Sequence, residues 1–165
     1  MKAIRSLSLI DKLAIGLSLA AVVVGVLVAT LVYENIPHIE DEMAYVWEAQ
    51  VIARGDLTIE SPEYAPAFLV PFVVDHEGVR FGKYPIGWPA MLAVGIMLGI
   101  RGLVNPLLSG LGVWLTYSLG KRIARPSVGL LAAFLTLTSP FFLVNSGSLL
   151  SHPLGLVSAL GFTIA

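Results

Sequence analysis

The sequence predicts an all-α polytopic membrane protein, with an extracytoplasmic loop that bears juxtamembrane helices. Of its 165 residues, 56% are hydrophobic and only 13% are charged, which is too apolar for a soluble domain of this size. Residues 13–32 carry no charge and would form a helix of about 30 Å, the thickness of a bilayer's hydrocarbon core. Three further apolar runs follow at residues 86–100, 103–119 and 128–144.

The first run is predicted to be an uncleaved membrane helix rather than a secretory signal peptide. Lys2, Arg5 and Lys12 precede it, which suits either structure. A signal peptide, however, has an apolar core of about 7–15 residues followed by small residues at a cleavage site. Here the run is longer and ends in Thr-Leu-Val-Tyr-Glu. The preceding basic residues place residues 1–12 in the cytoplasm. Together with the later apolar runs, this orientation predicts a multi-pass protein of the plasma membrane.

Residues 33–85 are predicted to form a folded outer loop. The segment VVDHEGVRF indicates two short extended pieces around a turn at residues 75–78. An amphipathic helix is predicted over residues 42–54, with Asp41 as its N-cap and Gly55 as its stop, lying along the membrane surface. At 100° per residue, Asp41, Tyr45 and Glu48 share one face of this helix.

Charge decides the path of the later segments. Residues 86–100 would span only about 22 Å as a helix, which is short for a crossing. If they crossed, Lys121, Arg122 and Arg125 would lie outside the cell. If they form an interfacial helix, residues 103–119 run inward, those three cations are cytoplasmic, and every loop obeys the positive-inside rule. We therefore predict the second arrangement, in which residues 128–144 run outward again.

The last segment, residues 153–165, is the start of another apolar run and stops after about 13 residues of a span that needs about 20. We expect the 165 residues to form a single incomplete membrane domain, the N-terminal portion of a longer polytopic protein. The predicted topology brings Ser151 and His152 to the same outer side as Asp41 and Glu42.

Asp41 and Glu42 lie within three consecutive carboxylates, more than one helix cap requires. They could simply be solvated groups that compensate the helix dipole. At a membrane surface they could also accept a proton from a hydroxyl or hold a divalent metal ion. Because the chain has no cysteine, disulfides and cysteine-ligated zinc are excluded, and a net charge of −1 gives no indication of nucleic-acid binding.

Two basic or titratable side chains could bind a phosphate near those carboxylates. Lys83 precedes Tyr84 and Pro85 at the predicted start of the interfacial helix, where free N–H groups suit an anion; interface anchoring is the alternative. His152 is either a polar residue at the start of the last helix or a ligand for a metal ion or phosphate.

The chain resembles the membrane glycosyltransferases of the GT-C fold, which use polyprenyl-phosphate sugar donors. This superfamily includes protein mannosyltransferases and aminoarabinose lipid A transferases. The matching segments, in order, are HIEDEMAYVWEAQVIARGDL, KYPIGWPAMLAVGIMLG, NPLLSGLGVWLTYSLGKRI and GLLAAFLTLTSPFFLVNSGSLLSHPLG. The resemblance implies a bundle of about a dozen transmembrane helices, of which this chain would hold the first three and part of a fourth.

The resemblance also implies roles for individual residues. Asp41, with its neighbour Glu42, would be the catalytic base that orients the acceptor, and Lys83 would contact the donor phosphate, with His152 as a possible second contact. Tyr45, Glu48 and Tyr84 are the remaining predicted site residues, and we expect them to contact the acceptor or the membrane interface. The partners would be the lipid-linked donor, the bilayer, and a lipid, glycan or protein acceptor.

Two departures from the superfamily put a metal cofactor in question. Some relatives have an acidic metal ligand directly before the lysine, where this chain has Gly82, and many have an aspartate where it has Ser151 and His152. A divalent ion held by Asp41 and His152 remains the metal hypothesis. The competing functions are a transporter or lipid flippase, which would need ionisable residues at mid-membrane, and a non-catalytic membrane subunit.

Overall fold

A computed structural model describes residues 7–165, and that part of the chain is mainly helical. The seven α-helices are α1 Leu9–Leu27, α2 Glu40–Ala53, α3 Gly87–Met97, α4 Val104–Ile123, α5 Pro126–Thr138, α6 Pro140–Gly147 and α7 His152–Ile164. The strands are β1 Ile59–Glu60, β2 Val73–His76 and β3 Val79–Gly82. The three strands form one antiparallel sheet in the order β1-β3-β2, so the prediction of an all-α protein is wrong for the outer loop.

Helix α1 continues through a π-helical turn, Val28–Val32, to give 24 residues, within which an 18-residue window has a mean hydropathy of 2.7. By length and composition it could cross a membrane. It begins before the predicted residue 13 because Ser8 and Asp11 form a capping box, in which the Ser8 side chain accepts from the Asp11 N–H. Lys2 and Arg5, which support the predicted orientation, lie outside the described residues.

Helices α1 and α4 pack side by side and run in opposite directions. Asp11 at the start of α1 bonds to Lys121 at the end of α4, 2.5 Å away. At the other end, the Arg101 guanidinium just before α4 donates to the Asn35 backbone oxygen beyond α1, at 2.6 Å. The close approach depends on glycine, since a Cβ at Gly110 would collide with Val22. Polar residues of α4, such as Ser109, are buried by the surrounding helices.

The predicted span 128–144 is broken rather than straight. Helices α5 and α6 meet at Ser139–Pro140 with a bend of 66°, and would count as a second membrane-spanning candidate only if the pair is one span. Proline lacks an N–H and disfavours helical geometry in the residue before it, and Ser139 is accordingly extended, with φ −68° and ψ 124°. Gly147 at the end of α6 packs on Val28 and Ala29, near the end of α1.

Helix α7 returns along α4, with Leu156 against Gly112, and its Ile164 carbonyl accepts from Arg122 at 2.5 Å. The long helices therefore run between two ends of one bundle. We call one end the Asp11 end; it contains Asp11, Tyr117, Lys121 and Arg122. We call the other the Asp41 end; it contains Asp41, Lys83, Tyr84 and the turn after α6.

Helix α3 lies entirely at the Asp41 end, where Trp88, Leu92 and Ala93 pack against Val46 and Ala49 of α2. It has 11 residues, about 16 Å at 1.5 Å per residue, and ends before Gly99, whose φ is +71°. It does not run the length of the bundle. Lys121 and Arg122 lie at the opposite end of the bundle, and the interfacial position of residues 86–100 stays a prediction.

The outer loop contains the predicted hairpin. Strands β2 and β3 pair with Val73 opposite Gly82 and His76 opposite Val79. The turn residues Glu77 and Gly78 both have positive φ, +49° and +78°, as a tight hairpin requires.

The structure corrects two predictions for α2. The helix begins at Glu40 with Ile39 at the N-cap position and no side-chain cap, so Asp41 is not the N-cap. Its side chains are buried around most of its circumference by α3, the hairpin and the turn after α6. The exposed residues form only one narrow stripe: Glu40, Met43, Gln50 and Arg54. The helix is therefore a packed element of the Asp41 end that is buried on most sides rather than amphipathic, while its position along a membrane surface stays a prediction.

Candidate functional site

The turn after α6, residues 148–151, is held by buried side chains from three other helices. Glu42 Oε1 accepts the Leu149 N–H at 2.7 Å, and Trp88 Nε1 donates to the Leu149 carbonyl at 2.9 Å. Asn105 Nδ2 donates to the carbonyls of Ser148 and Leu150 at 2.6 and 2.8 Å. We call this set the polar knot, and it fixes α2, α3, α4 and α7 relative to one another at the Asp41 end.

Glu42 is a member of the polar knot and is only 2% exposed. Its second oxygen, Oε2, accepts the His38 N–H at 2.7 Å, so both carboxylate oxygens bind backbone N–H groups. Hydrogen bonds to a charged acceptor are about twice as strong as neutral ones. In this arrangement Glu42 positions the first turn of α2, and with it Asp41, whereas the family resemblance implied a catalytic role for Glu42 beside Asp41.

Asp41 is half-buried and accepts a hydrogen bond from the Tyr84 hydroxyl. That bond is the main cause of a raised pKa for Tyr84, about 12, with burial and nearby acidic residues adding to it. Tyr84 is thus a protonated donor at neutral pH, and its ring packs 4.7 Å from the Tyr45 ring, centroid to centroid. Within residues 7–165, Tyr84 is the one hydrogen-bond partner of the Asp41 side chain.

Lys83 is exposed, and its Nζ lies 3.8 Å from the centroid of the Phe72 ring and 5.0 Å from that of Tyr84. The described part of the chain places no carboxylate within 4.0 Å of it. Aromatic faces attract an ammonium group without occupying its three N–H donors. Lys83 is therefore held in place while its hydrogen-bonding capacity stays available.

Glu48 lies on the face of α2 that also carries Asp41 and Tyr45. It packs against Gly82, the residue directly before Lys83. It is 7% exposed, its Oε2 has no hydrogen-bond partner, and burial raises its pKa. A Cβ at position 82 would collide with the Glu48 carboxylate, which would have to move away. The predicted shared face of Asp41, Tyr45 and Glu48 is confirmed, and all three side chains meet the segment 82–84.

A cleft of about 310 Å³ opens beside Tyr45. Pro85 and Trp88 line one part of it, and Ser151, directly before α7, lines another part together with Gly155 of α7. The cleft adjoins the hydrogen-bonded pair of Asp41 and Tyr84 through Tyr45.

His152 lies elsewhere, because it faces the other side of the first turn of α7. Its ring meets the Phe141 ring edge to face, 5.7 Å between centroids, in a second cleft at the bend between α5 and α6. The structure therefore brings Asp41, Lys83, Tyr84, Tyr45 and Glu48 together but does not bring His152 to them.

The described residues do not fit the divalent ion considered from the sequence. Residues 7–165 contain no group of three or more His, Asp or Glu side chains placed to hold a metal. Asp41 is engaged by Tyr84, and His152 lies in the second cleft.

Trp88, Asn105 and Phe72 were not singled out from the sequence. Trp88 and Asn105 carry polar groups inside apolar segments, which is a signal that a buried hydrogen-bond partner is required. Phe72 gave no signal, because its position under Lys83 depends on the hairpin fold.

Comparisons of the chain with protein-family models, with curated proteins and with solved structures found no match.

Proposed function

We propose that this protein is an inverting membrane glycosyltransferase of the GT-C class, which transfers a sugar from a polyprenyl-phosphate donor to an acceptor hydroxyl. The sequence resemblance supports the class. The geometry supports the site, because the carboxylate and the cation that the reaction needs lie at one end of the bundle, on either side of Tyr84.

The observation on which the proposal depends is that neither charge is neutralised by the other. Asp41 is bound by a neutral phenol and Lys83 by aromatic faces. A carboxylate oriented by one donor can still accept a proton, and an ammonium group with free N–H donors can bind a phosphate. Paired groups at this exposed position would be occupied before any substrate arrived.

In the proposed reaction, the acceptor oxygen forms a bond to the anomeric carbon while the bond from that carbon to the donor phosphate oxygen breaks. The acceptor proton passes to the Asp41 carboxylate. The phosphate leaves with the bonding electron pair, and Lys83 stabilises the charge that develops on it. Tyr84 and Glu42 act as positioning residues, which hold the Asp41 side chain and its helix.

We further propose that the protein crosses the plasma membrane several times. The Asp11 end, with Lys121, Arg122 and Arg125 close by, would be cytoplasmic, and the Asp41 end would face outward. An amphipathic donor presents its sugar at a membrane surface, so the acceptor could be a lipid, a glycan or a protein that reaches that surface.

The test is sugar transfer by the natural full-length protein from a panel of polyprenyl-phosphate sugars. Asp41→Asn keeps the size of the side chain but removes the base, and we expect it to lower the transfer rate about 100-fold or more. Asp11→Asn is the matched control, since that carboxylate lies at the opposite end, and it should keep the transfer rate of folded protein. Wild-type transfer by Asp41→Asn would refute the proposal.

One observation favours a transporter or flippase instead. The bend of 66° between α5 and α6 is the kind of helix break found at transport sites. The cleft at that bend is, however, lined by no Asp, Glu, Lys or Arg. Donor movement across vesicles without sugar transfer would favour a flippase, and neither activity would favour a non-catalytic subunit.

A further inference from the structure

The bend between α5 and α6 creates a cleft that the proposed transfer reaction does not use. Its volume is about 430 Å³, within the usual range for small-molecule sites. Leu135, Phe141, Phe142 and Leu156 give it mostly apolar walls. Phe141 and Leu135 also face outward, 68% and 58% exposed, so the cleft opens on an apolar surface of the bundle.

A buried polar group without a partner lines this cleft. Asn145 is 6% exposed, its Nδ2 donates to the Phe141 carbonyl at 2.8 Å, and its Oδ1 has no hydrogen-bond partner. A buried acceptor left unpaired costs on the order of 1–3 kcal/mol. Asn145 is in this position because a new helix, α6, begins at Pro140 with its axis bent by 66° from that of α5. The side chains of α6 therefore do not continue the faces of α5.

The other polar groups of the cleft define what could pair with Asn145. The Thr136 hydroxyl already donates to the Ala132 carbonyl of its own helix, at 2.9 Å. Ser139 at the bend adds a second hydroxyl to the lining. His152 stands at the start of α7, where a neutral imidazole offers one donor and one acceptor. The lining has no Asp, Glu, Lys or Arg, so it offers no permanent countercharge to a phosphate, a carboxylate or an ammonium group.

We propose that this cleft binds a neutral amphiphile, a long apolar chain with a hydroxyl group at its end. The chain lies between Phe141 and Leu156, and the hydroxyl donates its hydrogen bond to Asn145 Oδ1, with His152 beside it. The ligand enters sideways from the apolar surroundings of the bundle. The site is separate from the Asp41 end, so its existence does not depend on the proposed transfer reaction.

The experiment uses the natural protein in phosphatidylcholine nanodiscs and three probes of equal chain length. The probes are a hexadecanol with a photoreactive diazirine in its chain, its methyl ether, and the corresponding hexadecyl phosphate. We expect the alcohol to label residues of α5, α6 and α7 at the cleft and to be displaced by unlabelled hexadecanol. The ether, which cannot donate, should bind about tenfold more weakly, the effect of one hydrogen bond to a buried acceptor.

Two variants sharpen the test. Asn145→Leu should lower alcohol binding about tenfold and remove the preference for alcohol over ether. Leu135→Trp fills the mouth of the cleft and should abolish labelling. Leu131→Trp is its matched control, one turn earlier on the same helix, 57% exposed and outside the cleft lining.

The comparison of alcohol and ether on the unaltered protein needs no variant, so a variant that fails to fold leaves the test intact. Equal binding of alcohol and ether would overturn the proposal, as would stronger binding of the phosphate. Labelling spread evenly over the exposed helix faces would show an unspecific lipid surface. An absence of labelling at the cleft would also overturn the proposal.

Discussion

Both ends of the bundle contain an aspartate, a tyrosine and a lysine close together, but only one end neutralises its charges. At the Asp11 end, Oδ1 of Asp11 accepts from the Tyr117 hydroxyl and from Lys121 Nζ, each at 2.5 Å, and Oδ2 accepts from the Ser8 hydroxyl at 2.7 Å. At the Asp41 end, Tyr84 reaches Asp41 while Lys83 turns to the Phe72 ring.

The difference follows from local backbone geometry. Tyr117 and Lys121 are four residues apart on a helix, so their side chains project from the same face and reach one carboxylate. Lys83 and Tyr84 are adjacent and follow strand β3, which ends at Gly82. Of the two, Tyr84 reaches Asp41, whereas Lys83 lies over the Phe72 ring. The same residue types build a closed ion pair on a helix and two separate charges after a strand.

The comparison suggests how the two ends divide stability and function. Both oxygens of the Asp11 carboxylate accept hydrogen bonds, so this group links α1 to α4 and has little capacity left for a ligand. A carboxylate with one phenolic partner, beside a lysine without an acidic partner among the described residues, keeps capacity for a substrate. We therefore expect changes at the Asp11 end to alter stability, and changes to the exposed charges of the Asp41 end to alter binding and catalysis.

The largest effect is expected from Glu42, the exception to that division, because it is buried at the Asp41 end. Glu42→Ala leaves the N–H groups of His38 and Leu149 without their partner and should lower the free energy of unfolding by about 3 kcal/mol. Denaturant unfolding in detergent micelles measures it. The exposed neighbour is the control, since Glu40→Ala should stay within about 0.5 kcal/mol of the wild type. Equal effects of both changes would show that the polar knot does not hold this end.

The next prediction compares the two lysines. Lys83→Met removes a cation with free donors, so the affinity for a polyprenyl-phosphate donor should fall about tenfold, in the range of a lost charge-assisted hydrogen bond. The melting temperature should hardly change. Lys121→Met should do the reverse, lowering the melting temperature because Asp11 loses its ion pair, while donor affinity stays the same. Donor titration measures the affinity of both variants, and thermal melting measures their stability. A tenfold loss of donor affinity in Lys121→Met would contradict the separate roles of the two ends.

The smallest effect concerns pH. Burial raises the pKa of Glu48 in the folded protein, so the folded state holds that proton more tightly than the unfolded state does. This contribution to stability is complete below the ordinary pKa of 4.5 and is lost as the pH rises from there through the folded-state pKa. Glu48→Gln should therefore flatten the dependence of melting temperature on pH above 4.5, relative to the control Glu60→Gln on the exposed edge of the sheet. Identical profiles for Glu48→Gln and the wild type would contradict the burial of this carboxyl group.

Much of the fold follows from local sequence patterns. The apolar runs predicted the long helices, and the glycine after Glu77 predicted the hairpin turn. The shortness of residues 86–100 predicted a helix too short to cross a membrane, and α3 has only 11 residues. The break at Ser139–Pro140 was missed, although a proline inside an apolar run is a local signal for it.

The site was harder to predict because it depends on distant contacts. Asp41 meets Tyr84 across 43 residues, and Trp88 meets Leu149 across 61, and no local pattern encodes such pairs. The direction of His152 depends on how α7 is rotated about its own axis. A helix that is apolar on every side gives no periodic signal for that rotation, and so the expected contact between His152 and the acidic residues did not form.

The most direct test of the account is the sidedness of the two ends in the membrane. The chain has no native cysteine, so single cysteines can be introduced at Glu40 and Arg125, both exposed, at the Asp41 end and near the Asp11 end respectively. We predict that a membrane-impermeant maleimide labels Glu40→Cys in intact cells and labels Arg125→Cys only after lysis. Labelling of both positions in intact cells would contradict the account.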